Sequence, residues 1–339
     1  MIETFMMAMQ FSPLLLILWL ANKAEDMRYP EAPHLGRGFA VASYLILGLI
    51  HFILLLTGLF LHSVSNLPMI EKQLTPGVDI RLLGIGMWAP SLAGLLFFIP
   101  LARRWVARII PINPENPVHT VSLSLSTLIV FNLLSTLGIG LNNIAAMEEQ
   151  GGNVGISLSE LWAQNIMWFL IGLIGVGWLS RRKLEEALSR LGIVKISGRE
   201  IAVGLGVGLM MVVFALGVEY VATFFGVSVD PEVEEVTEKL LGSLYKSLPG
   251  ILTLGFAAAI GEETLFRGAL QPRFGLVLTT VLFALMHSNY GISLSTLIVF
   301  LVGLALGIVR MRFNTSTAMV VHATYNIALG VLANVLPDF

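Results

Sequence analysis

The sequence predicts an all-α fold, a polytopic transmembrane helical bundle of about ten spans. Mean hydropathy is +0.83. Of 339 residues, 56% are hydrophobic and 12% charged, against about a quarter charged in soluble domains. The apolar residues also fall in long segments rather than in the alternating ten-residue strands of a membrane barrel, and a helix satisfies its own backbone in lipid. A net charge of −2 without a basic tract argues against a nucleic-acid partner. The absence of cysteine excludes disulfides, thiolate metal sites and a cysteine nucleophile.

In chain order, Phe5 to Leu20 is the first apolar segment, read as a retained helix because nothing basic precedes it. A polar loop, Asn22 to Arg37, leads to a second span, Phe39 to His62. Leu67 to Arg81 is polar, and Leu83 to Ala102 is a third span containing Pro90 and Pro100. The fourth span is Val118 to Leu141, Asn142 to Ser159 reads as a Gly- and Asn-rich loop, and Leu161 to Leu179 is the fifth. Between Arg181 and Leu191 the leucines at 184, 188 and 191 mark an interfacial amphipathic helix. This segment sets the internal boundary: residues 1–199 form an N-terminal transmembrane extension and residues 200–339 a second unit.

The second unit holds a span at Ile201 to Phe225 and an acidic helix, Asp230 to Leu244, with Val233, Val236, Leu240 and Leu244 on one face. A span from about Pro249 to Pro272 carries the charges of Glu262, Glu263 and Arg267. Leu276 to His287, Leu294 to Val309 and Thr315 to Leu336 complete the set. Sorting Lys and Arg onto alternate loops puts sixteen on one side and four on the other. The positive-inside rule then predicts a multi-pass membrane protein with both termini outside.

Intramembrane charges default to function. Glu262 and Glu263 interrupt an apolar run, His287 lies on the next segment, and His322 and Asn326 on the last. Helical rise places these groups about 12–18 Å from the cytoplasmic ends of their segments, so they can meet in one layer toward the cytoplasmic half of the membrane. His322 and Asn326, at i and i+4, share a face, whereas Glu262 and Glu263 diverge by about 100°. Glu263 and Arg267 have the acid-first i, i+4 order of an ion pair, leaving Glu262 to face the histidines. A carboxylate there can take a proton from water, and an imidazole and carboxamide on one turn can donate to an oxyanion. No activated serine is evident, since Ser288 falls on a different face from His287 and no Gly-x-Ser-x-Gly occurs. Phe266, Phe283 and Asn289 are candidate pocket-lining residues. His51 and Asn132 read as packing residues, and Gly303 and Gly307 as a close-packing pair.

Glu262-Glu263-x-x-x-Arg267, Phe283-x-x-x-His287 and His322-x-x-x-Asn326, in that order on successive apolar segments, resemble the three motifs of the CAAX prenyl protease and bacteriocin-processing (CPBP) intramembrane proteases, which include the type II CAAX endopeptidases. The resemblance covers Ile201 to Leu336, most specifically Leu254 to Asn326. It implies a glutamate-type protease in which Glu262 and His287 activate water. His322 and Asn326 then stabilise the oxyanion, with Glu263 and Arg267 supporting the site. It further implies no cofactor, and a prenylated CaaX tail or other membrane-associated peptide as substrate, met in the lipid bilayer. Two alternatives stand beside it: a zinc-dependent hydrolase using the same two histidines and carboxylate, and a non-proteolytic scaffold or proton-coupled carrier.

Overall fold

A computed structural model describes residues 2–27, 33–67, 77–150 and 155–335. The parts of the expected polar loops at 28–32, 68–76 and 151–154, and Leu336 at the end of the last expected span, lie outside the described residues. The fold is an α-helical bundle, with no β-strand among the described residues.

The N-terminal half comprises α1 (Ile2–Asp26), α2 (Pro33–Val64), α3 (Ile80–Leu96), α4 (Pro100–Val106), α5 (Pro117–Ile139), α6 (Leu141–Gln150) and α7 (Leu158–Gly175). Local chemistry sets these boundaries. The Asp79 carboxylate accepts the Leu82 N–H and caps α3. Asn116 caps α5 ahead of Pro117 at its first position, and Ser157 with Glu160 closes a capping box on α7.

The third expected span is not straight: α3 and α4 meet at 95°. Pro100 has no N–H to continue the ladder of α3 and instead begins α4. The carbonyls freed at the bend are taken by Arg103, which donates through Nη1 to Phe97 and Phe98 and through Nε to Pro114. The loop expected at Asn142–Ser159 is partly helical. Residues 141–150 form α6, whose Leu141 and Ala145 pack on Val233 and Val236, and Asn142 donates to Glu232 at 2.7 Å. Burial of this apolar pair outweighs a weakly helical composition.

The C-terminal half follows a short amphipathic helix, α8 (Leu184–Leu191), which buries Ala187 and Leu191 and leaves Leu184 exposed. Leu191 rather than Leu184 meets the bundle, joining Leu173 and Val176. Then come α9 (Gly198–Phe224), the acidic α10 (Pro231–Tyr245), α11 (Leu248–Glu262), a π-helix (Glu263–Leu270), α12 (Gln271–Met286), a 3₁₀ turn (Ser288–Tyr290), α13 (Leu294–Arg312) and α14 (Thr315–Val335). α14 packs against α9 and α11, and α12 against α13. The two halves adjoin closely, α7 on α11 and the π-helix, and α5 on α12.

The count of ten spans is not reproduced. Among the described residues six helical stretches are long and apolar enough to cross a membrane, seven if the bent α3–α4 pair is one span. One cause is that the expected seventh and eighth spans count together as one 39-residue stretch, Leu248–Met286, although the non-helical Gly275, at φ 77°, separates them at the expected place. Another is α7, which opens with Ser159, Glu160, Gln164 and Asn165 and is not among those stretches.

Candidate active site

The site lies where α11 gives way to the π-helix. Glu262 ends the α-helical ladder and Glu263 begins the wider i→i+5 turns, a distortion that recurs at functional sites. Gly261 permits it: a Cβ there would meet the Asn165 carbonyl oxygen at 2.6 Å, so α11 presses directly on α7. Thr264 donates to the Ile260 carbonyl at 2.7 Å across the transition.

Glu263 and Arg267 are wholly buried and pair at 3.1 Å, an ion pair whose angle falls outside a hydrogen bond. Arg267 also donates through Nη2 to the Gly303 carbonyl at 3.1 Å and lies 4.0 Å over the Phe283 ring. One helical turn on, Gln271 donates to the Gly307 carbonyl at 2.9 Å. The expected packing pair Gly303 and Gly307 thus also supplies bare carbonyls to side chains arriving from the π-helix and α12.

An ideal helix would send the two glutamates about 100° apart, yet both reach one imidazole. His322, buried on α14, lies with Nδ1 2.8 Å from Glu263 Oε1 and Nε2 4.0 Å from Glu262 Oε2. Because a carboxylate only accepts, Nδ1 carries hydrogen, and in the neutral ring Nε2 presents its lone pair to Glu262. His287, capping α12, is set in the same way: its Nδ1 donates to the Phe283 carbonyl at 2.9 Å, and its Nε2 is 4.0 Å from the same Glu262 oxygen. That oxygen has no hydrogen-bond partner among the described residues. Each imidazole acceptor therefore faces the Glu262 oxygen across a gap too long for a direct hydrogen bond, and a bridging water there can donate to Glu262 and to one of the two rings. Asn326 lies one turn beyond His322, with one N–H donated to the Leu254 carbonyl at 3.3 Å and the other available.

Phe266 and Phe283 are buried ring against ring and are not on the wall of the molecule's large cavity. Asn289 is on that wall. Phe283 also meets both histidine rings edge-on. Two contacts around His287 were not evident from the sequence, one on its ring and one on the residue that follows it. Tyr290 stacks on its ring at 5.9 Å between centroids. Asn132, expected as a packing residue, donates to Ser288 at 2.8 Å, with Thr136 on the same hydroxyl. These residues tie α5 to the turn that carries His287. His51, by contrast, is buried against Gly94.

Among the described residues no three His, Asp or Glu side chains converge as a coordinating set; the gaps from the Glu262 oxygen to the two histidine Nε2 atoms are 4.0 Å, against about 3.4 Å between tetrahedral ligands about 2.1 Å from one ion.

Residues 244–328 match the family model for type II CAAX prenyl endopeptidase Rce1-like proteins, and this segment holds all six motif side chains just described. An uncharacterized 24.3 kDa protein of Escherichia coli is 34% identical over 121 residues, covering 31% of this chain. The chain spans about half of that relative, 55% of its length. No solved structure matches.

Proposed function

We propose that this protein is an intramembrane endopeptidase that hydrolyses a peptide bond of a membrane-associated substrate with a water activated at Glu262. The observation that carries this reading is the single unpartnered Glu262 oxygen equidistant, at 4.0 Å, from two histidine Nε2 atoms. A water there donates its hydrogens to Glu262 and one imidazole and keeps a lone pair for a carbonyl carbon. As the C–O bond forms, Glu262 takes the water proton and negative charge moves to the carbonyl oxygen. When His322 carries both ring hydrogens, Nδ1 stays on Glu263 and Nε2 donates to that oxyanion together with the free N–H of Asn326. The C–N bond then breaks as the proton on Glu262 passes to the leaving nitrogen. No step requires a metal or an enzyme nucleophile.

The family match over 244–328 favours a prenylated CaaX tail as substrate, and the loop charge asymmetry favours both termini outside with the site toward the cytoplasmic half. The test is incubation of the purified full chain with a farnesylated CaaX peptide and identification of products by mass spectrometry. Release of the intact C-terminal tripeptide is expected. Failure of the folded protein to cleave this peptide, together with cleavage of an unprenylated membrane peptide, removes the CaaX assignment. Failure with both removes the protease.

A further inference from the structure

A cavity of about 1320 Å³ lies between the N-terminal helices and the α12 side of the bundle. One end is cationic. Arg181 and Arg182 follow α7, Arg190 is on α8, and Arg273 comes from α12; all four line the cavity. Three of these four belong to the extension outside the matched segment 244–328, so the cluster exists only because the extension packs on the core. The walls beyond are largely apolar, with Leu18, Ile129, Trp168 and Phe274 among them, and the far end reaches Ser288 and Asn289 beside His287.

The cationic end is built rather than incidental. Arg181 donates through Nε to Asn22 at 2.9 Å. Asn22, fully buried, is held in turn by donation to the Ile174 and Gly175 carbonyls. Arg182 is fixed by donation to the Val176 carbonyl. His119, at the same end, accepts the Asn113 N–H at Nδ1, so its neutral ring carries hydrogen on Nε2. The acidic groups facing the cluster are Glu25 and Asp26 of α1, both near Arg181, and Asp26 is paired with Lys23. Among the described residues neither Arg190 nor Arg273 is ion-paired. Burial, then the neighbouring charges of Arg273, Arg182, Arg310 and Arg181, bring Arg190 down to about 10. Guanidiniums crowded to that degree at the head of an apolar cavity suit an anion with several acceptor oxygens.

We infer that this cavity binds an anionic phospholipid, its phosphate on Arg181, Arg182, Arg190 and Arg273 and its acyl chains along the apolar walls. Basic pockets between membrane helices are a recurrent form of headgroup site. Length argues for a lipid over a substrate tail. Arg273 lies just before the Gly275 break, and from Leu276 to Met286 α12 rises about 15 Å beyond it, whereas the three residues beyond a CaaX cysteine extend only about 10 Å. A carboxylate released at Glu262 does not span that distance.

The test uses the full chain in neutral detergent, with native mass spectrometry counting bound lipid and thermal denaturation as a control for folding. Dioleoylphosphatidylglycerol is expected to bind one per chain, at least tenfold more tightly than dioleoylphosphatidylcholine. Inorganic phosphate at millimolar concentration should not displace it. The Arg190→Gln/Arg273→Gln variant should lose about tenfold or more in affinity, and Arg190→Lys/Arg273→Lys should recover part of it. Equal binding of the two lipids, unchanged affinity in a folded glutamine variant, or displacement by phosphate alone would each overturn the proposal. Displacement of the lipid by a peptide with a free, but not an amidated, C-terminus would overturn it in favour of a substrate subsite. None of these readouts depends on catalysis, so the inference stands or falls separately from the protease.

Discussion

The two adjacent glutamates should respond in opposite ways to the same isosteric change. Glu263 is inaccessible, sits 3.1 Å from an equally inaccessible Arg267, and accepts from His322 at 2.8 Å. Glu263→Gln removes the one carboxylate charge that pairs with that guanidinium among the described residues. Removing one partner of a buried pair costs about 3–5 kcal/mol. The amide oxygen can still accept one of the two donors, and Arg267 retains the Gly303 carbonyl and the Phe283 ring face, which places the loss near the lower end, about 3 kcal/mol. At roughly 2 °C per kcal/mol for a large chain, the melting temperature should fall by about 6 °C. Glu262 presents an oxygen with no hydrogen bond to lose, so Glu262→Gln should shift stability by less than about 0.5 kcal/mol or raise it, while abolishing cleavage. Both quantities can be read on one preparation, by thermal denaturation in detergent and by peptide cleavage. Equal destabilisation by the two changes, or a stable Glu263→Gln protein, would refute the division into a supporting and a reacting carboxylate.

Other perturbations follow from the same geometry. Asn132→Ala deletes the donor to Ser288 and loosens the turn carrying His287; kcat/KM should fall about fivefold, about 1 kcal/mol, with the melting temperature nearly unchanged. Gly261→Ala drives a Cβ to 2.6 Å from a backbone oxygen of α7, and should destabilise by about 1–3 kcal/mol as measured by denaturation. Arg103→Met strands the Phe97 and Phe98 carbonyls at the α3–α4 bend and the Pro114 carbonyl ahead of α5, and should cost at least about 2 kcal/mol, again by denaturation, without altering the cleavage of a folded fraction.

Much of the site was legible because the relevant signals were local. Glu263 and Arg267 pair at the i, i+4 spacing that predicted them, and equal depths along separate segments placed His287 and His322 in the layer of Glu262. The contact between Glu263 and His322 was not legible, because it depends on a π-helix that widens the turn after Glu262, and ideal 3.6-residue geometry turns the two glutamates apart. Distance in sequence hid the rest: Asn132 and Ser288 are 156 residues apart, and an asparagine on an apolar helix looks the same whether it packs or holds an active-site turn. The break at Gly275 falls at the expected boundary between the seventh and eighth spans, whereas Pro100 reads as tolerated within a span but starts a helix at a right-angled bend. Residues 141–150 are helical because α10 covers their apolar face, a tertiary cause that composition does not record.

In the proposed mechanism, activation of water by the Glu262 carboxylate needs no metal. Its most direct test is cleavage of a farnesylated CaaX peptide by wild type and Glu262→Gln, each with and without a strong chelator. Wild-type cleavage should be unchanged by chelation, and the variant should not cleave. Cleavage that disappears on chelation and returns with added zinc, or that persists in Glu262→Gln, would contradict it.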